Sequence, residues 1–245
     1  MKFAVGIFLL LSFASARGQE IPQDPVRRFL RTERFQIGGF GDFTTSARLY
    51  PAPRDEDPII RSSYNDFGGF LSFGGDARLI LSSSNAIGLT VQPLSMKQVV
   101  NNIYGYNTSG EYVGVPVHDG FNLWLFELNG YFSVPIGGDS WDIYLGGGPA
   151  LYLGKRTLEI GNAEASSTLA TAFGIQAAAG VAYRFTDHWG IRWEMKFRSP
   201  EFNTTSTFNS AYTEYQGARV SLPPPLSAKM NVNGTDFTLG AFYEF

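Results

Sequence analysis

The chain has 245 residues, of which 44% are hydrophobic and only 17% charged, and its formal net charge is −3. This negative charge argues against nucleic acid as a partner, and the absence of cysteine excludes disulfides and thiolate metal sites. The high content of glycine and aromatic residues favours β structure over helix. No segment beyond the N-terminus has 18 uninterrupted apolar residues, so the sequence predicts no transmembrane helix.

The N-terminus has the features of a secretory signal peptide. Lys2 precedes the apolar run FAVGIFLLLSFA, which is too short to cross about 30 Å of hydrocarbon as a helix. Small residues allow cleavage after Ala16 or Gly18, and we prefer Gly18. Residues 1–18 are then removed, and 19–33 form a periplasmic N-terminal segment. The removed part carries two basic and no acidic residues, so the net charge becomes −5.

From residue 34 onward, apolar side chains recur at every second position in eight segments, which is the pattern of strands with two unlike faces. In one of them, FNLWLF, four successive apolar residues break this alternation, and either a bulge or crowding at a membrane interface would explain it. The eight predicted strands lie at about 34–50, 70–81, 86–94, 121–136, 141–154, 169–185, 189–198 and 236–245.

The seventh strand, WGIRWEMKFR, shows which environment the strands require. Its apolar face carries Trp189, Ile191, Trp193, Met195 and Phe197, and its other face carries Arg192, Glu194, Lys196 and Arg198. Soluble sheets rarely combine an exposed aromatic face with a buried charged one. In a transmembrane barrel the apolar face meets lipid and the polar face lines the interior.

The connections between the strands alternate in length. The short turns SSSN, GGDS and TDH alternate with long polar segments at about 51–66, 100–120, 155–168 and 199–235. This alternation is typical of an up-and-down barrel whose loops of one kind lie at one end. The sequence therefore predicts an all-β, eight-stranded antiparallel transmembrane β-barrel over residues 34–245, with short periplasmic turns and long extracellular loops.

The predicted inward face of this barrel is rich in charge. Buried charges need partners, so we expect an ion-pair network that fills the interior. Trp141 and Trp189 each begin a strand directly after a short turn, and both are expected in one interfacial girdle. The residues expected to face inward are Asp42, Arg48, Asp76, Arg78, Glu127, Asp142, Arg184, Arg192, Glu194, Lys196, Arg198 and Glu244.

The C-terminal segment FTLGAFYEF carries the most specific motif. Its outward positions are Phe237, Leu239, Ala241, Tyr243 and the final Phe245. This pattern resembles the C-terminal signature of bacterial outer-membrane barrels. Together with the hairpin AAAGVAYRFTDHWGIRWEMKFR, it makes the chain similar to the OmpA-like and OmpX-like small β-barrel family. The resemblance implies a location in a Gram-negative outer membrane, recognition of the terminal segment by the barrel-assembly machinery, and contact with membrane lipid and lipopolysaccharide.

The residues that could carry chemistry are few. His118, beside Asp119, lies in a predicted external loop without a serine motif, and His188 lies in a short turn. We therefore expect no enzyme, no cofactor and no metal, but a structural or surface-interacting barrel whose external partner the sequence does not identify. The alternatives are a small-solute channel, a lipid A-modifying enzyme and, with the polarity of the two faces reversed, a soluble lipocalin-like barrel.

Overall fold

The computed structural model describes residues 34–134 and 140–245, so the predicted signal peptide, the segment 19–33 and most of the turn GGDS lie outside the described residues. Within these two ranges, no helix has the length and hydrophobicity needed to cross a membrane. The elements are β1 Arg34–Thr44, β2 Arg48–Tyr50, α1 Pro58–Ser62, β3 Asn65–Asp66, β4 Phe70–Ile80, β5 Asn85–Tyr106, β6 Tyr112–Val134, β7 Trp141–Ile160, β8 Ala163–Glu164, β9 Ser166–Ser167, β10 Ala170–Arg184, β11 Trp189–Arg198, β12 Glu201–Thr207, β13 Tyr212–Tyr215, β14 Ala218–Ser221, β15 Leu226–Asn231 and β16 Gly234–Glu244.

Eight of these strands close into a ring. They pair antiparallel in the order β1-β4-β5-β6-β7-β10-β11-β16, and β16 pairs back onto β1. Phe43 on β1, for example, lies opposite Leu71 on β4 and Phe237 on β16. Because the ring closes, the wall has no free edge, which is what a sheet needs inside hydrocarbon. The predicted eight-stranded antiparallel barrel is confirmed.

The two faces of the wall separate as the alternation predicts. On β11, Arg192, Glu194 and Lys196 are buried inside the ring, while Trp189 and Trp193 are about half exposed. Apolar side chains elsewhere on the outer face are even more exposed. An apolar belt of this extent is unfavourable in water and is matched by the hydrocarbon of a bilayer.

The wall continues above the membrane-spanning ring. Strands β5, β6 and β7 run unbroken for 20–23 residues, whereas the other five ring strands have 10–15. Those five break and resume as a second sheet in the order β3-β2-β15-β12-β9, which repeats the order β4-β1-β16-β11-β10 below it. We call this sheet, together with the upper halves of β5, β6 and β7, the upper storey. The breaks lie at 45–47, 67–69, 168–169, 199–200 and 232–233.

Much of what the sequence suggested as long loops is therefore strand. The segment 100–120 contains only a short turn at 107–111, and the segment 199–235 contains β12 to β15. These strands were missed because their outer face is polar. Outside the membrane that face meets water, so the lipid-facing pattern used to recognise the other strands does not apply to them.

The interior of the upper storey is mainly apolar, and it also holds a buried ion pair between Asp119 and Arg156. The apolar core explains FNLWLF: Leu123 and Leu125 point into it, while Trp124 points outward and is 53% exposed. Neither a bulge nor interface crowding is needed, because both faces of β6 are apolar at this level. The core consists of Ala47, Leu49, Phe67, Phe70, Leu94, Phe121, Leu123, Leu125, Ala150, Tyr152, Ala170, Ala172, Phe202, Ala228, Met230 and Val232.

One part of the first predicted strand was assigned to the wrong face. As apolar residues of the predicted strand 34–50, Ala47 and Leu49 would meet lipid, but both are fully buried in the upper core. Arg48 was expected inside, but its guanidinium lies 4.7 Å from the ring centre of Tyr64, outside the core. The break between β1 and β2 shifts the alternation by one residue, which exchanges the two faces.

Candidate functional site

The interior of the membrane-spanning ring is filled by charged side chains, which we call the lumen cluster. All of its members are at least nine-tenths buried, and they come from five strands of the ring. β11 alone contributes four of them, because its even-numbered residues all point inward. The cluster consists of Asp42, Asp76, Arg78, Glu127, Arg192, Glu194, Lys196, Arg198 and Asp236.

In the first half of the cluster, Arg78 is the central residue. Its Nε donates to Asp76 at 2.8 Å, and its Nη2 donates to Glu194 on the far side of the ring. Arg192 donates to the same Asp76 at 2.5 Å, and the hydroxyl of Tyr144 donates to Glu194 at 2.6 Å. The charges are thus paired across the interior, which offsets the cost of burying them.

The second half of the cluster is centred on Arg198. Its Nε lies 2.5 Å from Asp236, and its Nη2 lies 3.4 Å from Asp42. Beside it, the ammonium of Lys196 lies 3.1 Å from Glu127. Asp236 was not among the residues predicted to face inward. Its position could have been predicted from the sequence. Asp236 directly precedes the outward-facing Phe237, so the alternation of the last strand places it on the inward face.

The lumen cluster leaves almost no free space. Its cavity measures about 10 Å³, which is the size of a single water site. Above it lies the apolar core of the upper storey, and below it Tyr131, Tyr144 and Phe242 pack together. The described part of the interior is therefore filled at three successive levels.

The predicted charge network divides in two at the periplasmic end. Glu244 accepts from Arg34 at 2.7 Å, from Gln36 at 2.8 Å and from Arg184 at 3.3 Å. This group is separate from the lumen cluster. Asp142, also predicted in the network, is partly exposed and forms no ion pair with any described residue.

The predicted girdle residues lie at the same end. Trp141 is 54% exposed and packs against Tyr183, with ring centres 4.7 Å apart, and Trp189 is 49% exposed and packs against Tyr243. On the opposite boundary, Trp124 is the exposed outer residue of β6. Tryptophan is enriched at the two headgroup levels of membrane proteins. These three tryptophans therefore mark the two ends of the apolar belt.

The terminal strand closes the ring. On β16, Phe237, Leu239, Ala241 and Tyr243 alternate with inward residues, and the strand pairs with both β1 and β11. Phe245 follows it, donating its backbone N–H to Phe35 at 2.9 Å, and its ring is 57% exposed. The use of these five residues as an assembly signal stays a prediction.

The candidate chemical residues do not form a catalytic arrangement. Asp119 is buried and makes two hydrogen bonds with Arg156, at 2.8 and 2.6 Å, so it does not orient His118 on the opposite face of β6. The Nδ1 of His188 lies 2.9 Å from the carbonyl oxygen of Glu244. Among residues 34–134 and 140–245, no group of three or more histidine and acidic side chains could hold a metal ion.

Comparisons with known proteins identify the same kind of barrel as the strand order and the two faces of the wall. A family model described as "Outer membrane protein beta-barrel domain" matches residues 97–245. The chain belongs to this family. Membership places the protein in the bacterial outer membrane. Barrels of this membrane have short periplasmic turns and longer external loops, so we expect the short turns on the periplasmic side and the upper storey outside the cell. A comparison with curated proteins finds no match to the sequence.

The solved structures that are similar to the chain include two outer-membrane barrels. The outer membrane protein OprG from Pseudomonas aeruginosa is 11% identical, with a TM-score of 0.52 over 87% of this chain and 96% of that one. Neisserial surface protein A is 11% identical, with a TM-score of 0.43 over 86% of this chain and 97% of that one. At this identity, the likeness to OprG supports the barrel fold alone.

Proposed function

We propose that this outer-membrane barrel is a non-enzymatic surface protein that acts through its upper storey. The observation that carries the proposal is the filled interior. A channel needs a continuous polar path, but here paired charges fill the membrane-spanning level and an apolar core fills the level above it. An eight-stranded barrel is about wide enough for its own side chains, which supports a structural interior.

The upper storey has the properties of a binding platform. On the β5–β6 hairpin, Tyr104, Tyr106 and Tyr112 are 56%, 69% and 63% exposed. The rings of Tyr104 and Tyr112 are stacked, with centres 4.9 Å apart and planes 3° apart. Tyrosine offers a large contact area with a polar tip at a small cost in conformational entropy, and it is enriched where proteins bind partners.

The platform is held rigidly by a small second core. Val115 on β6, Ile160 on β7 and Val220 on β14 are buried together on the inner side of the hairpin. The β13–β14 hairpin covers them, and the guanidinium of Arg219 lies 3.4 Å from the ring centre of Tyr212. A surface fixed in advance loses little entropy on binding, which favours recognition.

The proposal is tested by two measurements on the full-length protein. Reconstituted in planar bilayers, the barrel is expected to show no steady pore. Cells that display the triple variant Tyr104→Ser, Tyr106→Ser, Tyr112→Ser are expected to adhere less to surfaces and to each other than cells with the parent at equal surface amount. Reproducible conductance of porin size, or unchanged adherence, would contradict the proposal.

We also propose that the barrel-assembly machinery recognises the terminal segment. Its alternating outward residues and its exposed last ring support this, because they remain accessible on the strand that closes the ring. Phe245→Ala is expected to reduce the heat-modifiable, membrane-inserted fraction, while Phe173→Ala, which removes an even more exposed outward ring away from the terminus, leaves it unchanged. Equal insertion of the two variants would count against recognition.

A further inference from the structure

A polar patch lies on the outer face of the wall, directly above the lipid-facing belt. The highest apolar row across the three long strands is Pro93 on β5, Trp124 on β6 and Leu153 on β7. The next two rows upward are polar. The polar side chains in these two rows belong to Ser95, Lys97, Asn122, Lys155 and Thr157. We call this set of residues the phosphate patch.

The depth of the patch follows from the length of β7. The span from Trp141 to Leu153, at about 3.3 Å per residue and a tilt of about 40°, rises about 30 Å. This equals the thickness of the hydrocarbon core. Trp141 marks the periplasmic boundary and Trp124 the outer one, so Lys155, in the row above Leu153, lies at the level of the outer-leaflet headgroups.

The contacts within the patch leave hydrogen-bond donors available. Ser95 Oγ lies within hydrogen-bond distance of Asn122 Oδ1, so that the amide nitrogen of Asn122 is the group left to donate outward. Lys155 is exposed and forms no ion pair with a described residue. The hydroxyl of Thr157, by contrast, is buried and does not face a ligand on the outer surface.

The second lysine is held by one carboxylate. Lys97 reaches from β5 across Gly120 to Glu159 on β7, where its Nζ lies 2.5 Å from Oε1. Its side chain is still 44% exposed. Gly120 leaves the path clear, since it has no side chain between the two strands. Two acidic residues lie near the patch. The charge of Glu159 is balanced by Lys97, and exposed Glu164 lies opposite Glu159 on β8, one strand further from the patch.

We propose that the phosphate patch binds a phosphate group of lipopolysaccharide, with Lys155 as the principal contact and Asn122 and Lys97 completing the site. Two ammonium groups with a neutral donor between them match a phosphate in charge and in hydrogen bonding. The source is the membrane because the site opens sideways, at headgroup level, where the anionic lipid is concentrated. On the same three strands, the outward residues at the periplasmic ends, Asn85, Val134 and Trp141, carry no charge.

The test is a titration of the detergent-solubilised full chain with lipid A carrying two phosphates, with bound lipid counted by native mass spectrometry. One basic residue near an anionic membrane surface contributes about 1 kcal/mol, which corresponds to a factor of about five in affinity. Lys155→Ala is expected to bind lipid A about fivefold more weakly than the parent. The double variant Lys97→Ala, Lys155→Ala is expected to bind it up to about 25-fold more weakly. Glu159→Gln, which frees Lys97, is expected to bind more tightly than the parent.

The control is Lys229→Ala, which removes another upper-storey lysine, one paired with Glu201 at 2.7 Å and outside the patch. It is expected to bind as the parent does. Equal binding of lipid A with and without its phosphates, or equal effects of Lys155→Ala and Lys229→Ala, would overturn the proposal. Inorganic phosphate that competes as well as lipid A would show that the site is not specific for the lipid. None of these variants alters the tyrosine platform, so failure here is separate from failure of the surface role.

Discussion

The lower and upper parts of the barrel wall are built from the same order of strands, but their faces have opposite polarity. In the membrane-spanning ring, Arg192, Glu194 and Lys196 point inward and Trp193 points outward. In the upper storey, Leu49 and Met230 point inward, while Arg48 and Lys229 lie on the outer side. The surrounding medium decides which face carries the apolar side chains: lipid below and water above.

The two interiors are stabilised by different interactions. The lower one depends on ion pairs, in which removing one partner costs more than the pair contributes, because the other charge is left buried. The upper one depends on burial of apolar surface at about 25 cal/mol per Å² and on close packing. A buried charge should therefore destabilise the upper part, whereas loss of a buried charge should destabilise the lower part.

The largest effect is expected from a charge placed in the upper core. Met230 is fully buried among apolar side chains, so Met230→Lys would bury an ammonium without a partner at a cost of about 4 kcal/mol or more. The measurement is cleavage of the upper storey by protease added to intact cells. The neighbouring Lys229→Met, on the outer side of the same strand, should leave protection unchanged. Equal protection of both variants would mean that the upper core is not closed.

The next effect concerns the lumen cluster. Arg198→Met removes the cation shared by Asp42 and Asp236 and should cost about 3–5 kcal/mol, measured by urea unfolding in phospholipid vesicles. Arg219→Met, which removes an arginine of the β13–β14 hairpin that lies over Tyr212, should cost much less. A loss of similar size in the two variants would show that the lower interior does not depend on its ion pairs.

A smaller effect is expected on the lipid face. Trp193 lies near mid-depth on β11 and Trp189 at the interface, so Trp193→Arg should cost about 2–4 kcal/mol and Trp189→Arg only about 0–1. The same unfolding assay compares the two. If Trp189→Arg is the more damaging, the depth assigned to this strand is wrong.

The smallest effect is expected for Glu194→Gln. Its two cationic partners, Arg78 and Lys196, each keep another carboxylate, since Arg78 also contacts Asp76 and Lys196 also contacts Glu127. We expect this variant to be milder than Trp193→Arg in the same urea series. If it is instead the worst of the set, the ion pairs are not redundant in the way the geometry indicates.

The membrane-spanning part could be predicted because lipid and a charged interior impose a strict alternation. WGIRWEMKFR shows this alternation in every residue, and the structure buries its even-numbered positions. The alternation also placed the lumen-cluster residues Asp42, Asp76, Arg78 and Glu127 and the periplasmic pair Arg184 and Glu244. Asp236 lies at the start of the last predicted strand, 236–245, but was not assigned to the inward face, although the alternation extends to it.

The upper storey could not be predicted in the same way. Its strands present polar residues to water and apolar residues to a core formed by chain segments far apart in sequence, such as Leu49 and Met230. The break at 45–47 shifts the phase of the alternation, and sequence periodicity alone does not show where such a break lies. FNLWLF was the local signal of the apolar upper core. A strand with two apolar faces needs lipid on one side and an apolar interior on the other.

The measurement that tests the central claim most directly is an accessibility scan along β6. The chain has no cysteine, so single cysteines can carry spin labels at successive positions from Gly114 to Phe132. We predict that labels at outward positions collide with oxygen from Trp124 downward and with a water-soluble nickel chelate from Asn122 upward. Labels at Leu123 and Leu125 should be shielded from both reagents. Access of the nickel chelate to Leu123 and Leu125 would show an open, wet interior and would contradict the closed two-storey barrel.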